Sequence, residues 1–377
     1  MRILSIFGTR PEAVKMAPVV QRLAQTTGVQ SFVCVTAQHR QMLDQVLNLF
    51  HIHPDVDLNL MRPNQSLPQL TSEILLHLQP VLDQYKPDWI LAQGDTTTVM
   101  TTALLCYYNR IHFGHVEAGL RTHDKWQPFP EEINRRIAGV VADMHFAPTD
   151  HARRNLLAEG VLESDIRVTG NTVIDALQQI VQMAPPPDVQ TLLEEHDIRP
   201  GGRELILITA HRRENFGAPL ENVFLALRDL AASDPRLHLV YPVHLNPNVQ
   251  EPALRLLGGV SNITLLPPVE YLTLVHLLKR AKLVLTDSGG IQEEATGLGV
   301  PTLVLREVTE RPEGLEAGVL QLVGTDRQRI LSTARHLLED ESAYKAMAQA
   351  ANPFGDGHAA ERIVQALMDD AHKTGGL

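Results

Sequence analysis

Cysteine is nearly missing from this chain: 377 residues contain two, Cys34 and Cys106. Neither belongs to a Cys-x-x-Cys pair and both lie inside apolar runs. That excludes a disulfide framework and a cysteine-built zinc site, and it suits a reducing, cytoplasmic compartment. Long apolar runs are missing as well. No stretch reaches the roughly 18 residues needed to cross a bilayer, and Met1 to Phe7 is too short for the apolar region of a secretory signal. It reads instead as an opening strand. Basic residues are in deficit, with 33 Lys and Arg against 44 Asp and Glu, for a formal charge of -11. Domains that track nucleic-acid phosphates or anionic membranes carry the opposite balance, so neither partner is expected. The deficit describes the whole surface and leaves room for a basic pocket.

Several chemical signatures are also lacking. No Gly-x-Gly-x-x-Gly follows a strand-like run, which argues against a bound dinucleotide. No Walker Gly-x-x-x-x-Gly-Lys-Ser/Thr and no Gly-x-Ser-x-Gly occur, which argues against a P-loop NTPase and an elbow-type hydrolase. There is no fixed-period repeat and no low-complexity tract. No cofactor and no metal are implied.

What remains is an ordinary globular balance, 44% apolar and 20% charged, at a length that suits two domains. Short apolar runs alternate with stretches of helical period, the pattern of α/β domains with a parallel sheet covered by helices. The first series of strands reads Ile3–Phe7, Phe32–Thr36, Trp89–Ala92, His112–Val116 and His145–Ala147. The second reads Leu205–Ile208, Leu237–Val243, Ile263–Leu266, Leu283–Thr286 and Thr302–Leu305. The run Ala184-Pro-Pro-Pro-Asp188 and the turn Arg199-Pro-Gly-Gly202 mark the region between the two. Leu70, Ile74, Leu78, Leu82 and Tyr85 share one helical face, and Pro80 predicts a kink or a split in that helix. Two doubly wound domains of this kind are expected to face each other across a cleft, because ligands bind beyond the carboxyl ends of parallel strands.

Polar residues collect just past those strand ends, in five segments. Gly8-Thr-Arg-Pro-Glu12 followed by Lys15 places two cations at a helix start, where an anion binds. The plainer reading has Thr9 capping the helix, Pro11 at its first position and the bases solvated. Gly94-Asp95 precedes a helix, so Asp95 reads first as an N-cap. His115 and Glu117 share one face of a strand, and a carboxylate ending a buried strand is costly unless paired or used. Pro128-Phe-Pro-Glu-Glu132 is good helix-start chemistry, with Ile133, Ile137 and Val140 marking a buried face. In the second half, Thr209-Ala-His211-Arg-Arg-Glu-Asn215 accompanies Asp287-Ser-Gly-Gly-Ile-Gln-Glu-Glu294. There a strand runs into Ser288-Gly289-Gly290 and then a helix, so bare N–H groups and a hydroxyl can meet a diphosphate; the alternative is a tight turn capped by Ser288. Glu294 sits where it can reach sugar hydroxyls.

Taken in order, these segments resemble the non-hydrolysing UDP-N-acetylglucosamine 2-epimerases of bacteria over nearly the whole chain. The resemblance rests on Phe7-Gly-Thr-Arg-Pro-Glu12, Thr36-Ala-Gln-His-Arg40, Gln93-Gly-Asp-Thr96, His115-Val-Glu-Ala-Gly-Leu-Arg121 and Pro130-Glu-Glu-Ile-Asn-Arg135. It continues in Thr209 to Asn215, Tyr241-Pro-Val-His244, Asp287 to Glu294, Thr309-Glu-Arg-Pro-Glu313 and Asn352-Pro-Phe-Gly-Asp-Gly357.

The resemblance implies a glycosyltransferase-B-like fold of two Rossmann-like domains, 1–180 and 181–357, with a last helix at about 358–377 returning to the first. It assigns Asp95, Glu117, Glu131 and His211 to catalysis. Arg10, Lys15, Ser288, Gly289, Gly290, Glu294 and Arg311 are assigned to the UDP-sugar, and Leu274 to the base in place of an aromatic residue. Gln38 and His39 fall beside a possible second, activating UDP-sugar site, where Asn64 replaces a basic residue of some members. A homodimer and reversible C2 epimerisation through a glycal, supplying N-acetylmannosamine units for surface polysaccharide, are implied too. The alternatives are a hydrolysing 2-epimerase, a transferase on the same fold and a catalytically silent sensor.

Overall fold

The computed structural model describes residues 1–36, 40–60, 62 and 65–373. Its strands fall into two parallel sheets, each inside its own unit. The first unit is Met1–Ala176 with Phe354–Leu377, the second Leu177–Pro353. Strands of the first are β1 (Arg2–Phe7), β2 (Gln30–Val35), β3 (Val56–Asp57), β4 (Trp89–Gln93), β5 (His112–Val116), β6 (Met144–Ala147) and β7 (Ile166–Val168), in the order β3-β2-β1-β4-β5-β6-β7. The second holds β8 (Glu204–Thr209), β9 (Leu237–Pro242), β10 (Ile263–Leu266), β11 (Ala281–Thr286), β12 (Thr302–Val304) and β13 (Leu320–Leu322), in the order β10-β9-β8-β11-β12-β13. The inner strands are buried on both faces because helices cover both sides, so they read as continuous apolar runs rather than alternating ones. Strand order reverses between β1 and β4 in one unit and between β8 and β11 in the other, which opens a crevice beyond each pair.

The ten expected strands lie where the apolar runs placed them, within a residue or two. β3, β7 and β13 were not anticipated: at two or three residues each, on or next to sheet edges, they are too short to show a period. Pro80 does not split its helix, which runs unbroken from Leu67 to Tyr85. Leu70, Ile74, Leu78 and Leu82 are all buried on its core side, and that burial outweighs the single backbone hydrogen bond that proline forfeits. Tyr85 meets Phe32 edge-on with ring centroids 4.8 Å apart.

The helix Glu131–Val141 corrects another expectation. Its buried residues are Glu132, Asn134, Arg135, Ala138 and Gly139, while Ile133 and Val140 face outward, Val140 at 88% exposure. The polar side turns inward because its charges find partners there. Among the described residues no helix is long and apolar enough to cross a membrane. Burial pushes the Cys34 thiol up to about 12 and raises that of Cys106 as well, so both behave as small apolar groups.

Candidate active site

In the first unit the site residues leave β1, β4 and β5 together. Thr9 caps the helix Arg10–Ala24 in a capping box with Glu12, and Pro11 is the second helical residue. Glu12 does more than cap. Its buried carboxylate accepts from Gly8 N at 3.1 Å, Thr9 N at 2.7 Å and the Thr96 hydroxyl at 2.7 Å, which joins the β1 and β4 loops. Burial pushes its pKa up, and those hydrogen bonds pull it back. Arg10 opens the helix half-buried, and Lys15 lies about a turn further on.

Lys15 does not point to solvent: its ammonium lies 2.5 Å from Glu117 Oε1. Glu117 is past the end of β5, at a left-handed φ of 63°, so it does not share a strand face with His115 as the alternation suggested. That backbone is uncommon for a residue with a Cβ. The carboxylate accepts from Lys15, from Gln93 Nε2 on Oε2, and from Asn171 Nδ2 on Oε1 at 2.8 Å. His115 instead turns back beneath β4, its Nε2 donating to the Gly94 carbonyl at 2.7 Å. Burial lowers its pKa to about 3, so it is neutral and structural.

Asp95 does not cap its helix. Thr96 does, accepting from Val99 N, while the Asp95 carboxylate pairs with Arg135 Nη2 and its carbonyl accepts from Asn134 Nδ2 at 2.9 Å. Arg135 also reaches Glu132 Oε2 at 3.3 Å, and Glu132 in turn accepts from Thr122 N and His123 N. The inward polar face of this helix is thus a bracket for Asp95 and for the loop before it. Glu131 begins the same helix, half-buried.

In the second unit the corresponding loops follow β8 and β11. Asp287 is fully buried and accepts from His211 N and Arg212 N, each at 2.8 Å, with its other oxygen 3.6 Å from His211 Nδ1. The His211 ring stacks on His244 at 5.3 Å. Burial lowers the His211 pKa, and Asp287 opposes that shift. Ser288 stands at the cap position of the helix Gly289–Gly297, but its side chain makes no capping hydrogen bond. Gly289 and Gly290 open that helix rather than forming a tight turn, and the first N–H groups of a helix have no partner within it. A Cβ on Gly289 would sit 3.3 Å from the Arg311 guanidinium, so a side chain there would press on Arg311. Arg311 is buried between Glu293 Oε1 at 2.7 Å and Glu310 Oε2 at 2.9 Å. Glu294 accepts from the Tyr271 hydroxyl at 3.0 Å, and Leu274 packs partly buried against the core on the same helix as Tyr271.

The structure therefore brings together Lys15 and Glu117, and separately Arg311 and Gly289. Gln38, His39 and Asn64 lie outside the described residues. Sequence reasoning passed over Gln93, Asn171, Arg135, Glu12 and Asp287 as working parts. The available signal was that four of them sit inside motifs already singled out; Asn171 carried none.

The site residues thus stand at strand ends and helix starts of two Rossmann-like units, with a hydroxyl and N–H loop in one and ion-paired carboxylates in the other. The sequence profile described as UDP-N-acetylglucosamine 2-epimerase matches residues 21–368. The UDP-N-acetylglucosamine 2-epimerase of Yersinia pestis is 53% identical over 371 residues, 98% of this chain and 99% of that one. That of Escherichia coli K12 is 52% identical over 372 residues, 98% of this chain and 99% of its own. A crystal structure of the Neisseria meningitidis UDP-GlcNAc 2-epimerase bound to UDP-GlcNAc superposes with a TM-score of 0.91 at 47% identity, covering 98% of this chain and 100% of that one. The chain belongs to the UDP-N-acetylglucosamine 2-epimerase family.

Proposed function

We infer that this protein interconverts UDP-N-acetylglucosamine and UDP-N-acetylmannosamine without net hydrolysis. The observation that carries the reading is the placement of Glu117 and Asp95 on adjacent strand ends, each tied to a cation, in a chain whose other sheet ends in the Ser288 loop. C2–H has no carbonyl beside it, so direct deprotonation is very hard. When the C1–O bond breaks first, its electron pair leaves with UDP and positive charge develops at C1, which acidifies the C2 proton. Arg10, His211, Arg311 and the Ser288-Gly289-Gly290 loop stabilise the departing diphosphate, and Glu294 holds the ribose. A carboxylate among Asp95, Glu117 and Glu131 takes the proton, and the C1=C2 bond of a glycal forms. Proton delivery from the opposite face and return of UDP to C1 give the manno epimer.

The family membership and the UDP-GlcNAc bound to the meningococcal relative support this substrate. Proton NMR of the protein with UDP-N-acetylglucosamine in heavy water tests it. UDP-N-acetylmannosamine carrying deuterium at C2 is expected. Free N-acetylmannosamine with UDP would establish the hydrolysing reaction instead, and no conversion would remove both.

The outward apolar side of the helix Glu131–Val141 supports a homodimer. Val140 is exposed, as are Tyr107 and Tyr108 on the helix packed against it, and this is the side that a second copy would cover. Val140→Asp is expected to halve the mass seen by light scattering; an unchanged mass rejects this face.

A further inference from the structure

Asn352-Pro-Phe-Gly-Asp-Gly357 stands out in the sequence, yet none of its residues belongs to the reaction described above. Its surroundings explain why the chain needs it. Where the polypeptide returns to the first unit, the Phe354 carbonyl accepts from Asn171 N at 2.7 Å, and the Phe354 ring is buried. Gly355, at φ 142°, lies against the same loop: a Cβ there would stand 3.3 Å from Asn171 N and 3.4 Å from Gly170 Cα. Gly170, at φ 86°, is equally constrained, since its Cβ would meet Gly355 Cα at 3.2 Å. Two backbones cross here closely enough that a Cβ on either glycine would press on the other chain segment, and both glycines hold a positive φ that L side chains rarely adopt.

Further ties hold the crossing. Asp356 grips Arg362 through both oxygens, at 2.8 and 2.6 Å, and Arg362 donates on to the Thr169 carbonyl at 2.9 Å. The Asp175 carboxylate accepts from Ala359 N and Ala360 N, capping the returning helix Ala359–Lys373. That helix packs on the helix Arg10–Ala24, which carries Lys15. Within the clamped loop, the Asn171 side chain is spent in two directions. Its Oδ1 accepts from Val173 N at 3.1 Å, and its Nδ2 donates to Glu117 Oε1 at 2.8 Å.

We propose that Asn171 is a positioning residue for Glu117, and that the C-terminal return of the chain at Phe354 and Gly355 is what seats it. Glu117 sits beyond its strand on a left-handed backbone, so the sheet alone does not aim its carboxylate. Lys15 is a long and rotatable partner. Asn171 is short and has its backbone and its Oδ1 locked, so it fixes the direction of Oε1. The C-terminal segment, distant in sequence, is thereby part of the catalytic apparatus.

The proposal rests on Glu117 acting in the epimerisation. The test is steady-state kinetics of full-length Asn171→Ser, with deuterium entry at C2 read by NMR. Serine keeps a hydroxyl for Val173 N but is too short to reach Glu117. Expected is a fall in kcat of about tenfold or more, with KM within about twofold, a parallel fall in C2 exchange, and an unchanged melting temperature. Gly355→Ala, which leaves Asn171 in place but pushes on its backbone, is expected to lower kcat in the same direction by less. A wild-type protein that never epimerises its substrate overturns the functional reading itself. An active wild type with Asn171→Ser equal to it overturns the positioning role. Loss in Asn171→Ser with none in Gly355→Ala overturns the part played by the C-terminal return.

Discussion

The two units use one topology to opposite electrostatic ends. In the first, the strand ends beyond β4 and β5 present carboxylates, and the surrounding protein supplies cations and amides to hold them: Arg135 for Asp95; Lys15, Gln93 and Asn171 for Glu117. In the second, the strand ends beyond β8 and β11 present an imidazole and helix N–H groups, and the loop after β12 brings a guanidinium against them. There the surrounding protein supplies carboxylates: Glu293 and Glu310 for Arg311, Asp287 for His211. The lesson is general. A strand end at a sheet's reversal point is only a location, and the sign of what it presents is set by the partners that make a buried charge tolerable.

The largest way to break this contrast is to neutralise the presented charge on the carboxylate side. Asp95→Asn keeps the shape that meets Asn134 and Arg135, and is expected to lower turnover by about 10²–10⁴-fold, the usual worth of a positioned acid or base. Calorimetry should find UDP affinity unaltered; wild-type-like turnover would remove Asp95 from the chemistry.

On the cationic side, Arg311→Ala should cost stability as well as function. It takes the guanidinium away from Glu293, which is 2% exposed, and losing one partner of a buried pair typically costs about 3–5 kcal/mol. Urea unfolding measures this. A loss below 1 kcal/mol would mean the two acids do not depend on Arg311.

A third test sharpens the contrast through histidine. Behind the carboxylates, burial holds His115 at about 3 and His145 at about 4, both below an unfolded value near 6.5. A depressed folded pKa means the unfolded chain binds more protons. Stability is therefore full above about pH 6.5 and is lost as pH falls towards 4, by at most about 1.4 kcal/mol per pH unit for each ring. His238 in the second unit, lowered by burial to about 4, adds to the same slope. His145→Gln should flatten the pH dependence of unfolding over that window. An unchanged slope would show that His145 does not carry a share of it.

The smallest effect is expected at the Ser288 loop. Ser288 makes no capping bond, so Ser288→Ala removes little from the fold. Removing one hydroxyl donor should weaken UDP binding about tenfold, roughly 1.4 kcal/mol, with the melting temperature hardly moved. The reverse pattern, a stable affinity with a lower melting temperature, would make Ser288 a structural residue.

Legibility in the sequence followed the range of the interactions. Ten strands could be placed because an apolar run is a local signal, and the helix start after Ser288 could be placed because strand, glycines and helix are contiguous. The helix Glu131–Val141 was read inside out for the same reason. Its isoleucines and valine suggested a buried stripe, and nothing nearby in sequence announces that Asp95, about 40 positions upstream, waits for Arg135. Asp95 looked like a cap because caps are local, yet the cap went to its neighbour Thr96. Glu117 was singled out as a costly buried charge, but the left-handed turn that removes it from the strand face left no pattern to read.

By itself, the sequence determined the class of protein: two parallel α/β units, the turns after their strands, and an ordered set of motifs shared with one family of epimerases. Those properties arise from periodicity, turn chemistry and contiguous residues, which a linear chain displays. Only the tertiary structure decided which charges meet. It put Lys15 on Glu117, Arg135 on Asp95, Arg311 over Gly289 and the C-terminal Gly355 against Asn171. Each of these contacts joins residues from 22 to 184 positions apart. Burial, not proximity in sequence, is what makes such pairs obligatory.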